Sequence, residues 1–251
     1  MRRGSCGAKA MASARFLRTQ ANLEGAGFPY ADVSGARFAR ANLRGVNLIS
    51  ASVSGANFSD ADLRRAKLQE IRQSSHVDFS RANMNEVDIS KSELKRSIFS
   101  HTQLHKATLL EVDMSGSSFT ATNLEGAKLD TCVLNAAMMA SVSMRRAIIE
   151  GGNFVAANLS GTGFQEAHLA HVKLRNVSAQ GADFARATLY TVDFSNAQLN
   201  GAIFHECDLS QTTFDGAQLD RADFRFSYGY KRRQFENAVG LATVIGLDLA
   251  G

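Results

Sequence analysis

The sequence has one proline, no tryptophan and three cysteines in 251 residues, and each scarcity excludes something. With so little proline and no Gly-, Ser- or charge-rich block there is no linker, so the chain reads as one domain with short ends. Cys6, Cys132 and Cys207 make neither a metal-ligand spacing nor an even-numbered disulfide set. No window approaches the roughly 18 consecutive apolar residues of a membrane span, and no signal-peptide core follows Arg2 and Arg3. A soluble, cytosolic protein is therefore expected. Met11 opens the run MASARFL after ten residues that fit no later pattern, which marks residues 1–10 as a candidate vector remnant or mis-assigned start.

What the sequence does contain is a period of five. Large apolar residues fall at Leu23, Phe28, Val33, Phe38, Leu43, Leu48, Val53, Phe58, Leu63 and Leu68, then again from Phe79 and Met84 in step to Phe224. We call these residues centres; only Ala179 breaks the size rule. Two residues before each centre lies a smaller one, such as Ala21, Ala26, Ala31, Ala157, Thr162 or Cys207. A period of five suits neither the 3.6 of a helix nor the 2 of a flat strand, so both sets are buried only if the chain turns once per repeat. Asn, Asp, Ser and Gly between centres, as in ANLEG (21–25) and ANLRG (41–45), supply the turns.

The phenylalanines give the number of sides, because equivalent positions of successive coils stack. Phe79, Phe99 and Phe119 are twenty apart, as are Phe164, Phe184, Phe204 and Phe224. Four repeats therefore make one coil. The 21-residue step from Phe58 to Phe79 locates one inserted residue between Ile71 and Val77, expected as a bulge at Ser74, Ser75 or His76.

These residues resemble the pentapeptide-repeat family, whose pattern is a small residue, Asn or Asp, Leu or Phe, a polar residue and often Gly. The resemblance covers residues 21–224, about forty repeats. It implies an all-β fold, a right-handed quadrilateral β-helix of about ten coils, roughly 48 Å long at ~4.8 Å per coil. Residues 1–20 are then an N-terminal segment and cap, and 225–251 a C-terminal cap or dimerisation segment.

A filled interior leaves no cleft, so chemistry would have to sit outside. No Ser/His/Asp set or phosphate loop is present, and a non-enzymatic protein without cofactor is expected. His101 with His105 and His168 with His171 fall on outward positions without a completing carboxylate or thiol, so no metal site is expected. Cys132 and Cys207 occupy inward positions nearly four coils apart, about 18 Å, beyond the ~7 Å reach of a disulfide.

Charge is uneven. Residues 1–20 hold five basic and no acidic residues, and residues 111–224 hold 7 basic against 13 acidic. Relatives in the quinolone-resistance group resemble B-DNA and bind DNA gyrase or topoisomerase IV, so the resemblance implies those enzymes as candidate partners. A duplex mimic the length of that acidic half, about 27 Å, would need about sixteen negative charges; the net here is six. Direct nucleic-acid binding is not expected, because Arg64, Arg65, Arg145 and Arg146 have no exposed aromatics beside them.

One side is less polar: Tyr30, Ile49, Leu110, Ile148 and Tyr190 lie outward beside centres of a single column and form a candidate protein-binding stripe. Past Phe224, a helix over about Lys231 to Ala238 is expected to lay Phe235 and Val239 over the last coil. Leu241, Val244 and Ile245 then serve an end-to-end homodimer, or fold back as a monomeric cap. The reading is a protein-binding scaffold, with a gyrase-modulating DNA mimic and a bacterial secreted effector as alternatives.

Overall fold

The computed structural model describes residues 20–249; the expectations for residues 1–10, for Cys6 and for the segment 1–19 lie outside that range. From Asn22 onward the chain winds as a four-sided coil whose turns pair in parallel, residue to residue, twenty apart: Asn22 with Asn42, Gly27 with Asn47, Asp32 with Ser52 and Arg37 with Asn57. Each repeat contributes one side. The residue before the centre and the centre itself carry the ladder, as in the N–H of Asn42 donating to the Ala21 carbonyl at 2.9 Å and that of Leu43 to the Asp62 carbonyl at 2.8 Å.

Most corners are tight turns closed by a hydrogen bond from three residues on, for example Ala26 N–H to the Leu23 carbonyl at 3.0 Å. The second residue after each centre adopts a left-handed backbone conformation, as Gly25 (φ 65°) and Gly45 (φ 64°) do. That conformation costs an ordinary L-residue roughly 1–2 kcal/mol, yet Arg40, Glu86, Thr131 and Thr191 all adopt it. It turns the corner N–H along the rod axis, where it joins the ladder: Gly25 donates to Arg44 and Thr131 to Glu150. The ladder thus pins the corner whatever its side chain.

The centres form four interior columns. Side 1 carries Val33, Val53, Leu94 and Met114; side 2 Phe38, Phe58, Phe79 and Phe99; side 3 Leu23, Leu43, Leu63 and Met84; side 4 Phe28, Leu48, Leu68 and Ile89. From Val33 to Phe224 the large centres are buried, and Ala179 is buried with them. Phe38, Phe58, Phe79, Phe99 and Phe119 stack in parallel with centroids 4.7–5.2 Å apart. Phe164, Phe184, Phe204 and Phe224 stack likewise on side 3. A third stack, Phe194, Phe214 and Phe235, lies on side 1. It meets the side 3 stack edge to face across the interior at 5.4–5.7 Å, the arrangement aromatic quadrupoles favour.

Polar residues in the small inward column stay satisfied. The hydroxyls of Thr102 and Thr162 donate to the carbonyls of Phe79 and Met139 at 2.7 Å, and the thiols of Cys132 and Cys207 donate to those of Leu109 and Phe184. This is why Thr, Ser and Cys replace Ala there without a desolvation cost.

Two expectations are corrected. The extra residue lies at Arg72–Gln73, just before Ser74. The short strands β1 (Ser74–Ser75) and β2 (Leu94–Lys95) already pair in the new register, Ser74 with Leu94 and Ser75 with Lys95. Ile71 still holds the old one, and Gln73 takes a left-handed φ of 51°. Ser74 is then a buried centre, and its hydroxyl accepts the Val53 N–H at 3.1 Å where a ladder carbonyl would otherwise stand.

The second correction is the end of the rod. The ladder continues past Phe224: Tyr228 bridges Asp208, Val239 bridges Gln218 and Ile245 bridges Asp223. In place of a helix over 231–238 there are two 3-10 turns, Arg232–Phe235 and Leu241–Thr243. The helical pattern of KRRQFENAV loses to the ladder, because the open carbonyls and N–H groups of the preceding coil are better satisfied by another coil. Phe235 closes the interior on top of Phe214, whereas Val239 points outward.

The one extended sheet is on side 4, where β3 (Ile148–Glu150), β4 (His168–Ala170) and β5 (Thr188–Tyr190) pair in parallel.

Candidate interaction surfaces

Among the described residues no group of three or more His, Cys, Asp or Glu side chains is placed to hold a metal ion. His168 lies on the side 4 sheet, and His171 at the next corner packs edge-on against Tyr190 at 5.6 Å. Burial pushes the Cys132 and Cys207 thiols up to about 12, so at neutral pH neither supplies a thiolate. No helix among the described residues is long and apolar enough to cross a membrane.

Chemical variety sits on the outward positions, and the four sides differ. Side 3 carries a ladder of ion pairs. Arg145 and Arg146 both bind Glu166, at 2.7 and 2.8 Å, and Arg186 binds Glu206 at 2.8 Å. Nearer the N-terminus, Arg64 reaches Asp62 at 2.5 Å and Arg65 reaches Glu86 at 2.8 Å. Hydrogen bonds from Arg145 and then Arg146 hold the Glu166 carboxyl below its ordinary range, and Arg186 does the same for Glu206. Both arginine pairs singled out in the sequence therefore lie on one side and are paired with carboxylates, Arg64 with Asp62 of its own coil and the other three with a glutamate one coil on. Arg175 with Asp193 and Arg225 with Asp223 repeat the pattern. A shallow groove of about 330 Å³ runs between Arg145, Gln165, Arg186 and His205.

Side 4 holds the apolar residues expected as a stripe, but unevenly. Tyr30 is 79% exposed, Ile148 42% and Tyr190 40%, while Ile49 and Leu110 are half-buried between polar neighbours. Gln69 and Ser90 separate Ile49 from Leu110 along the column, and Asp130 and Glu150 separate Leu110 from the sheet. Of the five, only Ile148 and Tyr190 share the three-stranded sheet, two coils apart, with His168 in register with Ile148 and His171 against Tyr190. Beside them Asp130 is shifted upward, first by partial burial and then by the Glu150 carboxylate stacked one coil on.

At the C-terminal end Phe235 is buried, and Leu241, Val244, Leu247 and Leu249 pack half-buried against the core. Val239 and Ile245 remain exposed, on sides 2 and 3. Lys231, Arg232 and Arg233 rim the grooves of this end. The sequence reading missed a further surface: on side 2, from Ile98 to Gly201, no outward position carries Asp, Glu, Lys or Arg. The signal was available once outward residues were sorted by side.

A parallel coil of five-residue sides, with one small and one large inward residue on each, defines a class of protein by itself. Family models for pentapeptide repeats match residues 19–45, 41–72 and 97–135, and a pentapeptide repeat region model matches 147–224. The chain belongs to the pentapeptide-repeat family, and its fold is the right-handed quadrilateral β-helix of that family. Among solved structures it is similar to HetL, a pentapeptide repeat protein involved in heterocyst differentiation regulation from the cyanobacterium Nostoc sp. strain PCC 7120, at 23% identity over 96% of this chain and 95% of that one, TM-score 0.45. It is also similar to a trypsin-treated form of QnrB1, a plasmid-mediated fluoroquinolone resistance protein, at 15% identity over 92% of each chain, TM-score 0.36. A third is Rfr23 from the cyanobacterium Cyanothece 51142, at 27% identity over 40% of this chain and 62% of that one, TM-score 0.21. No curated protein matches significantly.

Proposed function

We propose that this chain is a non-enzymatic binding rod of the bacterial cytoplasm, whose outer sides are held rigid for a protein partner. The supporting observation is the separation of roles within each repeat. Inward positions are closed and repetitive, while outward positions differ from side to side and are held in fixed twenty-residue register. The contact proposed is the exposed patch of Ile148 and Tyr190 with His168, on the one extended sheet. A photo-reactive residue at position 190 should cross-link one discrete protein in cells, and Ile148→Glu should abolish that product while leaving the melting temperature unchanged. A cross-linking pattern identical in parent and variant overturns the reading.

A second reading, modulation of DNA gyrase or topoisomerase IV, is favoured by the acidic stretch 206–225, where Glu206, Asp208, Asp215, Asp220 and Asp223 outnumber Arg221 and Arg225. The ion pairs of side 3 count against it, because a paired carboxylate offers little field to a DNA-binding groove. Supercoiling unaffected by micromolar protein removes this reading. An end-to-end homodimer would rest on the exposed Val239 and Ile245, with Phe226 and Tyr228 also exposed, since Leu241, Val244, Leu247 and Leu249 cover the chain's own core.

A further inference from the structure

The charge-free stretch of side 2 is a surface with no counterpart on the other sides. It spans the six coils whose centres are Phe99, Phe119, Met139, Leu159, Ala179 and Leu199. About half of the outward residues elsewhere on those coils are charged or bulky, yet here they are Ser, Thr, Asn, Gln, Ala and Gly with a histidine at one end and two large apolar residues, Ile98 and Met138, both exposed. The corners that bound the stretch are also small. Ala121, Ser141, Gly161, Gly181 and Gly201 line one edge, and Gly116, Ala136 and Ala156 line much of the other. Beyond Arg96 and His101 at its first coil, no charged side chain stands at either edge to hold a flat partner away.

Several polar groups on this side already serve one another. The Ser100 and Ser118 hydroxyls lie 2.8 Å apart, Ser178 donates to the Gln180 side-chain oxygen at 2.6 Å, and Gln180 donates to that of Gln198 at 2.6 Å. Covering such a surface strips water from groups that keep partners, and it buries no charge.

We propose that this side is where two copies of the chain associate, side by side and related by a two-fold axis across the rods. Three features single out a second copy. In an isologous contact each residue near the axis meets its own equivalent, so a charge there would face its like; this side has none. A different protein would ordinarily be selected by complementary charge, for which this side offers no handle. Another rod of this kind has the same ~4.8 Å coil spacing, so ridges and grooves of the two sides mesh along their whole length. Six coils of about 4.8 Å and five residues of about 3.3 Å give roughly 475 Å² of flat contact per copy. That is below the ~800 Å² per partner of a stable complex, so the dimer is weak and concentration-dependent.

Sedimentation velocity of the full chain from 10 μM to 1 mM tests this, independently of the cytoplasmic partner proposed above. The parent should shift from monomer to dimer over that range. Met138→Lys and Met138→Glu, on an exposed side chain that makes no hydrogen bond, should each raise the dissociation constant at least tenfold with an unchanged melting temperature. Loss with either sign marks a charge-intolerant contact. His168→Glu on side 4 and Val239→Glu at the rod end should leave the dimer intact. A parent that stays monomeric at 1 mM overturns the proposal, as does dimerisation of both Met138 variants like the parent. Loss of the dimer in Val239→Glu assigns association to the rod end and overturns it too.

Discussion

On side 2 the interior column and the surface above it, one residue away, follow different rules. Inside, Phe38 to Phe119 stack at 4.7–5.2 Å, with no outlet to solvent. Outside, the column through Ile98, Ser118, Met138 and Asn158 changes residue at every coil. The interior has one acceptable size and polarity per position because it is close-packed, whereas the surface is free to vary wherever the ladder already satisfies the backbone. Fold is therefore specified by the inward two residues of each repeat, and recognition is left to the other three.

The largest effect that would break this comparison is a charge placed inside. Ala107 is fully buried in the small column, and Ala107→Arg should leave an unpaired guanidinium with nowhere to go, unfolding the protein at ambient temperature; a melt indistinguishable from the parent would contradict the column assignment. Phe99→Ala removes one ring from between two others, at 5.1 and 4.7 Å. Denaturant titration should show a loss of about 3–5 kcal/mol.

A smaller loss is expected at the bulge. Ser74→Ala leaves the Val53 N–H without its hydroxyl acceptor and should cost about 1–3 kcal/mol by the same measurement, while Ser74→Thr should retain most of the stability. The smallest change is on the surface. Asp130 has its carboxyl pKa raised in the folded protein, so its ionised form is disfavoured by folding at neutral pH. Asp130→Asn should slightly stabilise the protein at pH 7. The gain should vanish as pH falls below the ordinary carboxylate range, where Asp130 is protonated in both folded and unfolded states. Thermal melts from pH 7 to pH 3 check the sign.

The period of five, the four sides and two of the three Phe stacks were legible because burial leaves only one size of residue at each inward position. Phe194 and Phe214 carried the same twenty-residue signal, but the third stack is completed by Phe235 after a 21-residue step, past the apparent end of the repeat. That end was obscured because Gly229, Gly240 and Gly246 stand where centres would. The bulge was placed two residues late because Ser74, though small and polar, is the buried centre. Among surface residues, the sequence places Tyr30, Ile49, Leu110, Ile148 and Tyr190 on one side but does not show that Gln69, Ser90, Asp130 and Glu150 interrupt the stripe. Outward residues obey no packing rule that would reveal their neighbours before the columns are laid out.

The central claim is that five residues per side fix the rod from Asn22 to Phe224, with the one exception there at Arg72–Gln73. Paired single-residue deletions followed by thermal melting test it most directly. Deleting Gln73 removes the extra residue and leaves Ile71 and Ser74 in one continuous frame, so the melting temperature should stay within a few degrees of the parent. Deleting Lys128 shortens an ordinary side, so that Ala127 and Leu129 cannot both face inward, and the protein should lose its cooperative transition or melt far lower. Equal melting temperatures for the two deletions, or a greater loss on removing Gln73, would contradict the account.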